Sequence, residues 1–209
     1  MFFRTDQPHG LPHNPFNALV VPRPIGWISS MDRDGRVNLA PYSFFNAVAY
    51  TPPQVMFSGT GAHAAGGLKD TIKNIEDTGE FVCNLVTQEL AEAMNLSSTA
   101  APREVDEFEV AGVHKAPSAL VKPPRVRESP AHLECTLVRV VEIETVDPVT
   151  APNRIVIGKV VGIHIDDAVL TDGLVDMAKL KPVARLGYMD YTPVTEVFAM
   201  QRPGWPVQG

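Results

Sequence analysis

The sequence has little positive charge and no long apolar run, and each absence excludes a class of protein. Its 209 residues include 18 Lys and Arg against 24 Asp and Glu, a net charge of −6, with no basic cluster. A nucleic-acid partner is therefore not expected, because affinity for polyphosphate comes mostly from clustered Lys and Arg. No stretch approaches the ~20 apolar residues of a membrane-spanning helix, and the N-terminus lacks the apolar run of a signal peptide. We expect no membrane association and a cytoplasmic location.

Cysteine is scarce, and the motifs of common nucleotide-binding and hydrolytic folds are absent. Cys83 and Cys135 lie in apolar, strand-like segments, where a free Cys behaves as a small hydrophobe. Two isolated thiols form neither a disulfide framework nor a metal site, and the six His show no metal-ligand spacing. The sequence has no G-x-G-x-x-G after a strand, no G-x-x-x-x-G-K-[ST], no H-E-x-x-H and no G-x-S-x-G. Dinucleotide folds with that fingerprint and common hydrolases are disfavoured, and no metal is expected.

The composition predicts one globular domain over residues 1–209, because 44% hydrophobic and 20% charged residues suffice for one core. Apolar residues recur at helical spacing over 68–78, with Gly79 placed to end that helix. A second helix is predicted from Thr87, as its N-cap, to about residue 98. The stretch 100–130 reads as mostly irregular, and the tail from about residue 201 as a loose arm.

Strand patterns dominate the rest of the chain. A hairpin and a third strand are predicted near the N-terminus, a buried strand after the first helix, and two long strands that pair across residues 147–153. Gly158 and Gly162 inside the last strand suggest bulges, which barrels need in order to close. Many strands and few helices predict a mainly β, barrel-type fold. The strand-like segments are residues 25–31, 37–49, 54–58, 81–86, 132–144 and 154–165.

Two segments could carry chemistry: a polar run over residues 38–46 and a Gly-rich loop that leads into Lys69-Asp70-Thr71. A helix start has free N–H groups, and together with a Lys and a hydroxyl it suits a phosphate monoester. Lys69 and Thr71 could both reach that phosphate. The residues alone favour the simpler alternative, that Asp70 or Thr71 caps the helix and that Lys69 is solvated.

Several motifs together resemble the flavin reductase-like family of FMN-binding split β-barrels. Each motif is short, but their order and spacing are shared over about residues 18 to 190. The matching segments include Trp-Ile-Ser-Ser at 27–30, Ser-Phe-Phe at 43–45 and Lys-Asp-Thr at 69–71, and the full set is residues 22–30, 38–45, 69–71, 74–75, 79–85 and 129–135. The resemblance implies a mainly β split barrel with a few helices.

The resemblance also implies a set of flavin-binding residues. The isoalloxazine and ribityl chain would be lined by Trp27, Ser29, Ser30, Ser43, Phe44, Phe45 and Asn46. The phosphate would be held by Lys69 and Thr71 with Ser58 and Thr60 near it, and Asp70 would cap the helix, because a carboxylate facing a phosphate repels it. Arg185 would contact the flavin or a nicotinamide phosphate. Two alternatives stay open: Trp27 fills the core, and His132 is structural.

The function implied is NAD(P)H-dependent reduction of free flavin or another small acceptor through FMN, in a homodimer that could serve a monooxygenase or another electron acceptor. An alternative is an FMN-containing electron-transfer module that meets a protein partner and has no nicotinamide site. A third is a split barrel that has lost its cofactor. Residues 184–191 lack the His-containing motif near the nicotinamide site of shorter relatives, so the electron donor is the least defined part.

Overall fold

The computed structural model describes residues 1–146 and 152–204, and a seven-stranded antiparallel sheet is its main element. The described strands are β1 Arg23–Pro24, β2 Gly26–Met31, β3 Val37–Tyr42, β4 Phe45–Tyr50, β5 Pro53–Thr60, β6 Glu80–Asn84, β7 Lys115–Ala116, β8 Arg125–Val126, β9 Ala131–Ile143, β10 Asn153–Ile165, β11 Leu170–Thr171, β12 Leu174–Val175, β13 Val183–Arg185 and β14 Tyr191–Pro193. The helices are α1 Phe16–Leu19, α2 Asp70–Thr78, α3 Ala91–Leu96, α4 Glu107–Ala111 and α5 Met177–Leu180, with 3₁₀ turns at Gln88–Leu90 and Asp167–Val169. None of the described helices is long and apolar enough to cross a membrane.

The main sheet curls until its two edges approach each other. Its strand order is β3-β2-β6-β9-β10-β5-β4, so β3 and β4 lie at opposite edges. Yet the Tyr42 ring of β3 packs on Phe57 of β5 with the ring centroids 4.7 Å apart. On the same side, the Phe45 ring of β4 lies where a Cβ on Gly26 of β2 would meet it at 2.6 Å. The sheet is thus an open barrel, and the mainly β, split-barrel expectation is confirmed.

The long hairpin at the centre of the sheet agrees with its sequence pattern. β9 and β10 pair antiparallel with register shifts at Ile157/Gly158 and Val160/Gly162, where the two glycines predicted bulges. A Cβ on Gly158 would lie 2.3 Å from the Phe81 ring, so only glycine lets β10 approach the core here. Residues 147–151, most of the predicted connection, lie outside the described residues.

One strand prediction is wrong, and the strand order explains it. Residues 37–49 were expected to form a single strand, but they form β3 and β4, which separate at Ser43 and Phe44. Because these strands occupy opposite edges of the sheet, the chain must leave one edge and cross to the other. The break places Ser43 and Phe44 in a connection between strands.

The helical predictions agree except in their caps. The helix predicted over 68–78 is α2, and Gly79 ends it in the left-handed region with φ 76°, its N–H donating to the Ile75 carbonyl. The second helix divides into a 3₁₀ turn and α3, and the Thr87 side chain makes no capping bond. Residues 201–204 are exposed and form no helix or strand, and the rest of the predicted arm, 205–209, lies outside the described residues.

Neighbouring residues of β2 contribute to two separate hydrophobic cores. Ile28 joins Phe57, Ile75 and Phe81 in the barrel core, whereas Trp27 joins a second core that includes Met94. This follows from the alternation of side chains along a strand. Cys83 and Cys135 are free thiols buried in the barrel core, and burial raises the pKa of Cys83. Both cysteines pack as small hydrophobic side chains.

A buried carboxylate fixes residues 119–121 to the outside of the sheet. Glu134 of β9 is fully buried, and its carboxylate accepts hydrogen bonds from the N–H groups of Ala119 and Leu120 at 2.7 and 2.6 Å. His164 Nε2 lies 2.5 Å from the same carboxylate.

The neighbouring His132 is buried too, with Nε2 2.8 Å from the Val126 carbonyl. His132 is therefore structural, as one of the open alternatives held.

Burial of His132 predicts a loss of stability in mild acid. Burial lowers the pKa of His132 to about 4, and the positive charge of Arg125 acts in the same direction. The unfolded ring titrates near pH ~6.5, so the unfolded state binds more protons as the pH falls from ~6.5 to ~4, and up to about 3 kcal/mol of stability is lost in that window. Urea unfolding between pH 4 and 7 measures this loss.

The variant His132→Gln removes the titrating ring. We expect its stability to be lower at neutral pH but flatter between pH 6.5 and 4 than that of the unmodified protein, whereas the exposed His13→Gln keeps the original slope. An unchanged slope in His132→Gln would show that another group causes the acid loss.

Candidate functional site

A cavity of about 300 Å³ lies where the β3–β4 connection, the end of β5, the start of α2 and residues 97–101 meet. The strand order explains the meeting, because the chain leaves β3 at Ser43 and Phe44 directly beside β5, where Ser58 N donates to the Phe44 carbonyl at 2.8 Å. Seven of the residues predicted from sequence share this cavity wall: Ser43, Phe44, Ser58, Thr60, Lys69, Asp70 and Thr71.

The start of α2 presents uncapped N–H groups beside the cavity. Lys69 is the N-cap residue in an extended conformation, and none of the described side chains accepts a capping hydrogen bond from the first turn. The first N–H groups of an α-helix have no intrahelical acceptor, and they give this end a partial positive charge. The expectation that Asp70 caps the helix is wrong, since Asp70 is the first helical residue.

Lys69 brings a full positive charge to the same wall. Its side chain is half-buried, and among the described residues its ammonium has neither a hydrogen-bond nor an ion-pair partner. Burial lowers the pKa of Lys69 because it removes water from the charged form. A desolvated cation without a counter-ion favours binding of an anion at this position.

Ser58 adds a buried hydroxyl to the cavity wall. Its Oγ is the buried side-chain atom of the described residues for which no hydrogen bond is found. An unsatisfied buried hydroxyl costs about 1–3 kcal/mol, and a ligand oxygen in the cavity would satisfy it. Thr60, two residues further along β5, is also part of the wall and is exposed.

Thr71 belongs to a group of hydrogen-bonded side chains in the cavity wall, which we call the floor of the cavity. Its members are Asn38, Tyr42, Thr71 and Glu107, and the sequence did not indicate that they lie together. Thr71 Oγ1 donates to Asn38 Oδ1 at 2.5 Å, and its hydroxyl also interacts with Tyr42, whose pKa burial raises to about 12. Glu107 closes the floor by accepting the Leu39 N–H at 3.0 Å, and burial raises its pKa. The single hydroxyl proton of Thr71 is thus committed inside the protein, which leaves its main-chain N–H for a ligand.

The Asp70 carboxylate lies beside two basic side chains. One carboxylate oxygen is in contact with the Arg103 guanidinium, and the other lies 3.5 Å from His63 Nε2. Arg103 also donates to the carbonyls of Gly66 and Leu68 at 2.9 and 3.1 Å. The Gly-rich loop and the start of α2 are therefore joined by one guanidinium.

Three predicted flavin contacts lie elsewhere, and their side chains are inaccessible. Trp27 is fully buried in the second core, where its Nε1 donates to Ser97 Oγ at 2.9 Å. Ser29 donates to the Pro124 carbonyl at 2.5 Å, and Ser30 accepts from Asn74 at 3.2 Å. The polar groups of these side chains are paired inside the protein and do not face the cavity, and for Trp27 this agrees with the open alternative that it fills the core.

Phe45 and Asn46 also lie outside the cavity wall, at the start of β4. The Phe45 ring packs against the barrel core, and Asn46 is exposed, its Oδ1 accepting the N–H of Ala47 at 2.9 Å. Of the two adjacent phenylalanines, Phe44 alone lines the cavity.

Arg185 is held by its own segment and does not reach the cavity wall. Its guanidinium lies 4.5 Å from the centre of the Tyr191 ring and contacts the Tyr191 hydroxyl and the Tyr188 carbonyl. The neighbouring Arg23, which the sequence did not single out, connects this region to the site, with Nε 3.4 Å from Ser43 Oγ and Nη2 3.0 Å from the Leu186 carbonyl.

Sequence reasoning missed several residues of the wall: Asn38, Tyr42, His63, Ser97 to Ala101 and Glu107. The first two stand in the polar run that was singled out, so their residue types were a usable signal. Glu107 lies in a stretch read as irregular, and nothing in its local sequence indicates that it reaches Leu39.

The fold is a split barrel, and its cavity at a helix start offers free N–H groups and a lysine, features that suit an anionic ligand. The family described as Flavin reductase like domain matches residues 18–182, and the chain belongs to this family. The resemblance found in the motifs is thereby confirmed. An uncharacterized protein of Aquifex aeolicus is 41% identical over 171 residues, which cover 81% of this chain and 83% of that protein.

Two solved structures extend the comparison. Nitrilotriacetate monooxygenase component B from Bacillus cereus is 29% identical, with a TM-score of 0.85 over 96% of this chain and 98% of that one. The 2-nitrobenzoate 2-nitroreductase NbaA of Pseudomonas fluorescens is 28% identical, with a TM-score of 0.78 over 91% and 89% of the two chains.

Proposed function

We propose that this protein is an oxidoreductase that binds FMN in the described cavity, accepts electrons from NAD(P)H, and passes them to free flavin or another small acceptor. The observation that carries the proposal is a cation, Lys69, that has no partner among the described residues and lies beside the uncapped start of α2 in the cavity of a flavin reductase-like barrel. Both similar solved structures carry names of redox proteins, which supports the same reaction class.

The donors around the cavity fit a phosphate monoester. Lys69, the main-chain N–H groups of Asp70 and Thr71, and the orphaned hydroxyl of Ser58 would hold it. The floor adds no negative charge at Tyr42, because its phenol, with a pKa of about 12, stays protonated in the physiological range. Ser43 and Phe44 stand in the same wall and would meet the rest of the cofactor.

Bound FMN would supply the redox centre that accepts and returns electrons. The chain's own residues would bind and orient it, and the hydrogen bonds they make would set its reduction potential. No side-chain nucleophile is required for this chemistry, because the cofactor itself would carry the electrons.

The acceptor side of the proposal includes a monooxygenase. The likeness to a monooxygenase component supports a partner of that kind.

The second candidate is an FMN-containing electron-transfer module without a nicotinamide site, and one observation favours it. Arg185, which was expected to meet the flavin or a nicotinamide phosphate, is occupied by Tyr188 and Tyr191.

Anaerobic reduction distinguishes the two candidates. We expect the purified protein, loaded with FMN, to show a flavin spectrum that NADH or NADPH bleaches within seconds, because a reductase holds its donor beside the flavin. Stopped-flow absorbance with each nucleotide measures the rate, and free FMN with the same nucleotide is the control. A bound flavin that dithionite bleaches but neither nucleotide does would reject the reductase and leave the electron-transfer module.

A homodimer belongs to the same proposal. Ala18 packs on Gly187, so the N-terminal segment with its exposed Phe16 and Leu19 adjoins the C-terminal segment that carries the exposed Met189. An exposed group of this kind suits a protein interface. Sedimentation velocity would contradict the dimer if the FMN-loaded protein ran as a 22.7 kDa species.

The proposed cytoplasmic location is supported by both cysteines being free thiols.

A further inference from the structure

We propose that Arg103 is a positioning residue that makes the cavity selective for a phosphorylated flavin by neutralising Asp70. This inference rests on the proposed function, because it concerns the same phosphate site. Arg103 itself is absent from the cavity wall, and it faces a neighbouring cavity of about 440 Å³ that shares Asp70 with the first. Arg103 therefore acts through Asp70 and the Gly-rich loop.

The position of Asp70 creates a conflict. A carboxylate in the first turn of a helix stabilises that helix, because it faces the positive end of the helix dipole. The same carboxylate stands in the wall beside Lys69 and is largely buried, its side chain 17% exposed. An unpaired charge there would repel a phosphate and would also compete with it for the Lys69 ammonium.

Arg103 resolves the conflict through geometry that is visible around its guanidinium. One nitrogen contacts the Asp70 carboxylate, and another donates to the carbonyls of Gly66 and Leu68. The three contacts join the loop and the start of α2 from the neighbouring cavity that Arg103 lines. The carboxylate thus keeps its benefit to α2 while its charge is compensated.

His63 supplies a second, weaker restraint on the same carboxylate. Its Nε2 lies 3.5 Å from Asp70 and 3.2 Å from the Ala101 carbonyl, and its Nδ1 accepts the Ala65 N–H at 3.0 Å. Because the Arg103 guanidinium contacts the carboxylate directly whereas His63 lies 3.5 Å away, Arg103 is the main group that compensates Asp70.

The test measures dissociation constants of FMN and riboflavin by quenching of flavin fluorescence, and compares their ratio among variants. Riboflavin lacks the phosphate, so a general structural defect lowers both affinities and leaves the ratio unchanged. We expect Arg103→Ala to reduce the preference for FMN about tenfold, the effect of one uncompensated charge nearby at an intermediate dielectric. Arg103→Gln should behave alike and serves if the Ala variant does not fold.

The double variant Asp70→Asn/Arg103→Ala decides whether Arg103 acts through Asp70 or binds the phosphate itself. Removing the carboxylate along with its partner should restore the preference for FMN to within about threefold of the unmodified value. Arg33→Ala is the matched control, because Arg33 lines the same neighbouring cavity but binds the Asp77 carbonyl at the other end of α2; its ratio should not change.

Two outcomes would overturn the inference. If the preference for FMN survives in Arg103→Ala, Asp70 does not need this partner. If the double variant stays as poor as Arg103→Ala, the guanidinium itself binds the phosphate and is not a positioning group. If instead the unmodified protein binds riboflavin as tightly as FMN, the proposed phosphate site fails, which is a separate result.

Discussion

Replacing Lys69 with alanine is expected to weaken FMN binding about 10- to 100-fold, because a charge-assisted hydrogen bond contributes about 1.5–3 kcal/mol. Lys69 is the cation of the cavity wall that has no partner among the described residues, so no other interaction is lost with it. Riboflavin affinity should change less than about threefold, because that ligand carries no phosphate. Fluorescence titration with both flavins measures the two effects.

Lys73→Ala is the matched control for this substitution. Lys73 lies one turn further along α2, and its ammonium is paired with Asp77 at 2.6 Å. Thr71→Ala should have a smaller effect than Lys69→Ala, because the Thr71 hydroxyl donates to Asn38. FMN affinity that is unchanged in Lys69→Ala would refute the phosphate assignment.

Trp27→Ala is expected to lower the free energy of unfolding by about 3–5 kcal/mol, the usual cost of truncating a large buried aromatic side chain. The ring is fully buried between Leu39, Met94 and the rest of the second core, and its N–H bonds Ser97. Urea unfolding at neutral pH measures the loss.

Trp27→Phe separates the structural role from a flavin-binding one. It keeps most of the packing but leaves Ser97 without its indole donor, so we expect a loss of about 1–2 kcal/mol and an unchanged affinity for FMN. If this variant lost FMN while keeping its stability, Trp27 would contact the flavin, and its assignment to the core would be wrong.

Local patterns predicted the elements whose partners are close in sequence. The β9–β10 hairpin, its two glycine bulges and the end of α2 at Gly79 all depend on residues within one element or its neighbour. The division of residues 37–49 into two strands could not be predicted in that way. It depends on β3 and β4 lying at opposite edges of the sheet, which no local pattern records.

The same distinction applies to the site. The Lys69-Asp70-Thr71 turn was visible because its residue types stand together beside a helix start, and the resemblance gave flavin-binding roles to Ser43, Phe44 and Ser58. The partners of those residues were not visible. Whether Asp70 faces Arg103, or Thr71 faces Asn38, is decided by how distant segments pack, and the same residue types allow many pairings.

The central position of β9 and β10 has a consequence for the order of events during synthesis. Every residue of the cavity wall lies between Asn38 and Glu107, so the ribosome has made all of them before β9 begins. Yet β5 needs β10 beside it, and β6 needs β9. A nascent chain therefore carries every residue of the cavity wall before the strands that hold these residues in place have been made, so a ligand of the proposed site would bind only after the second half of the chain has emerged.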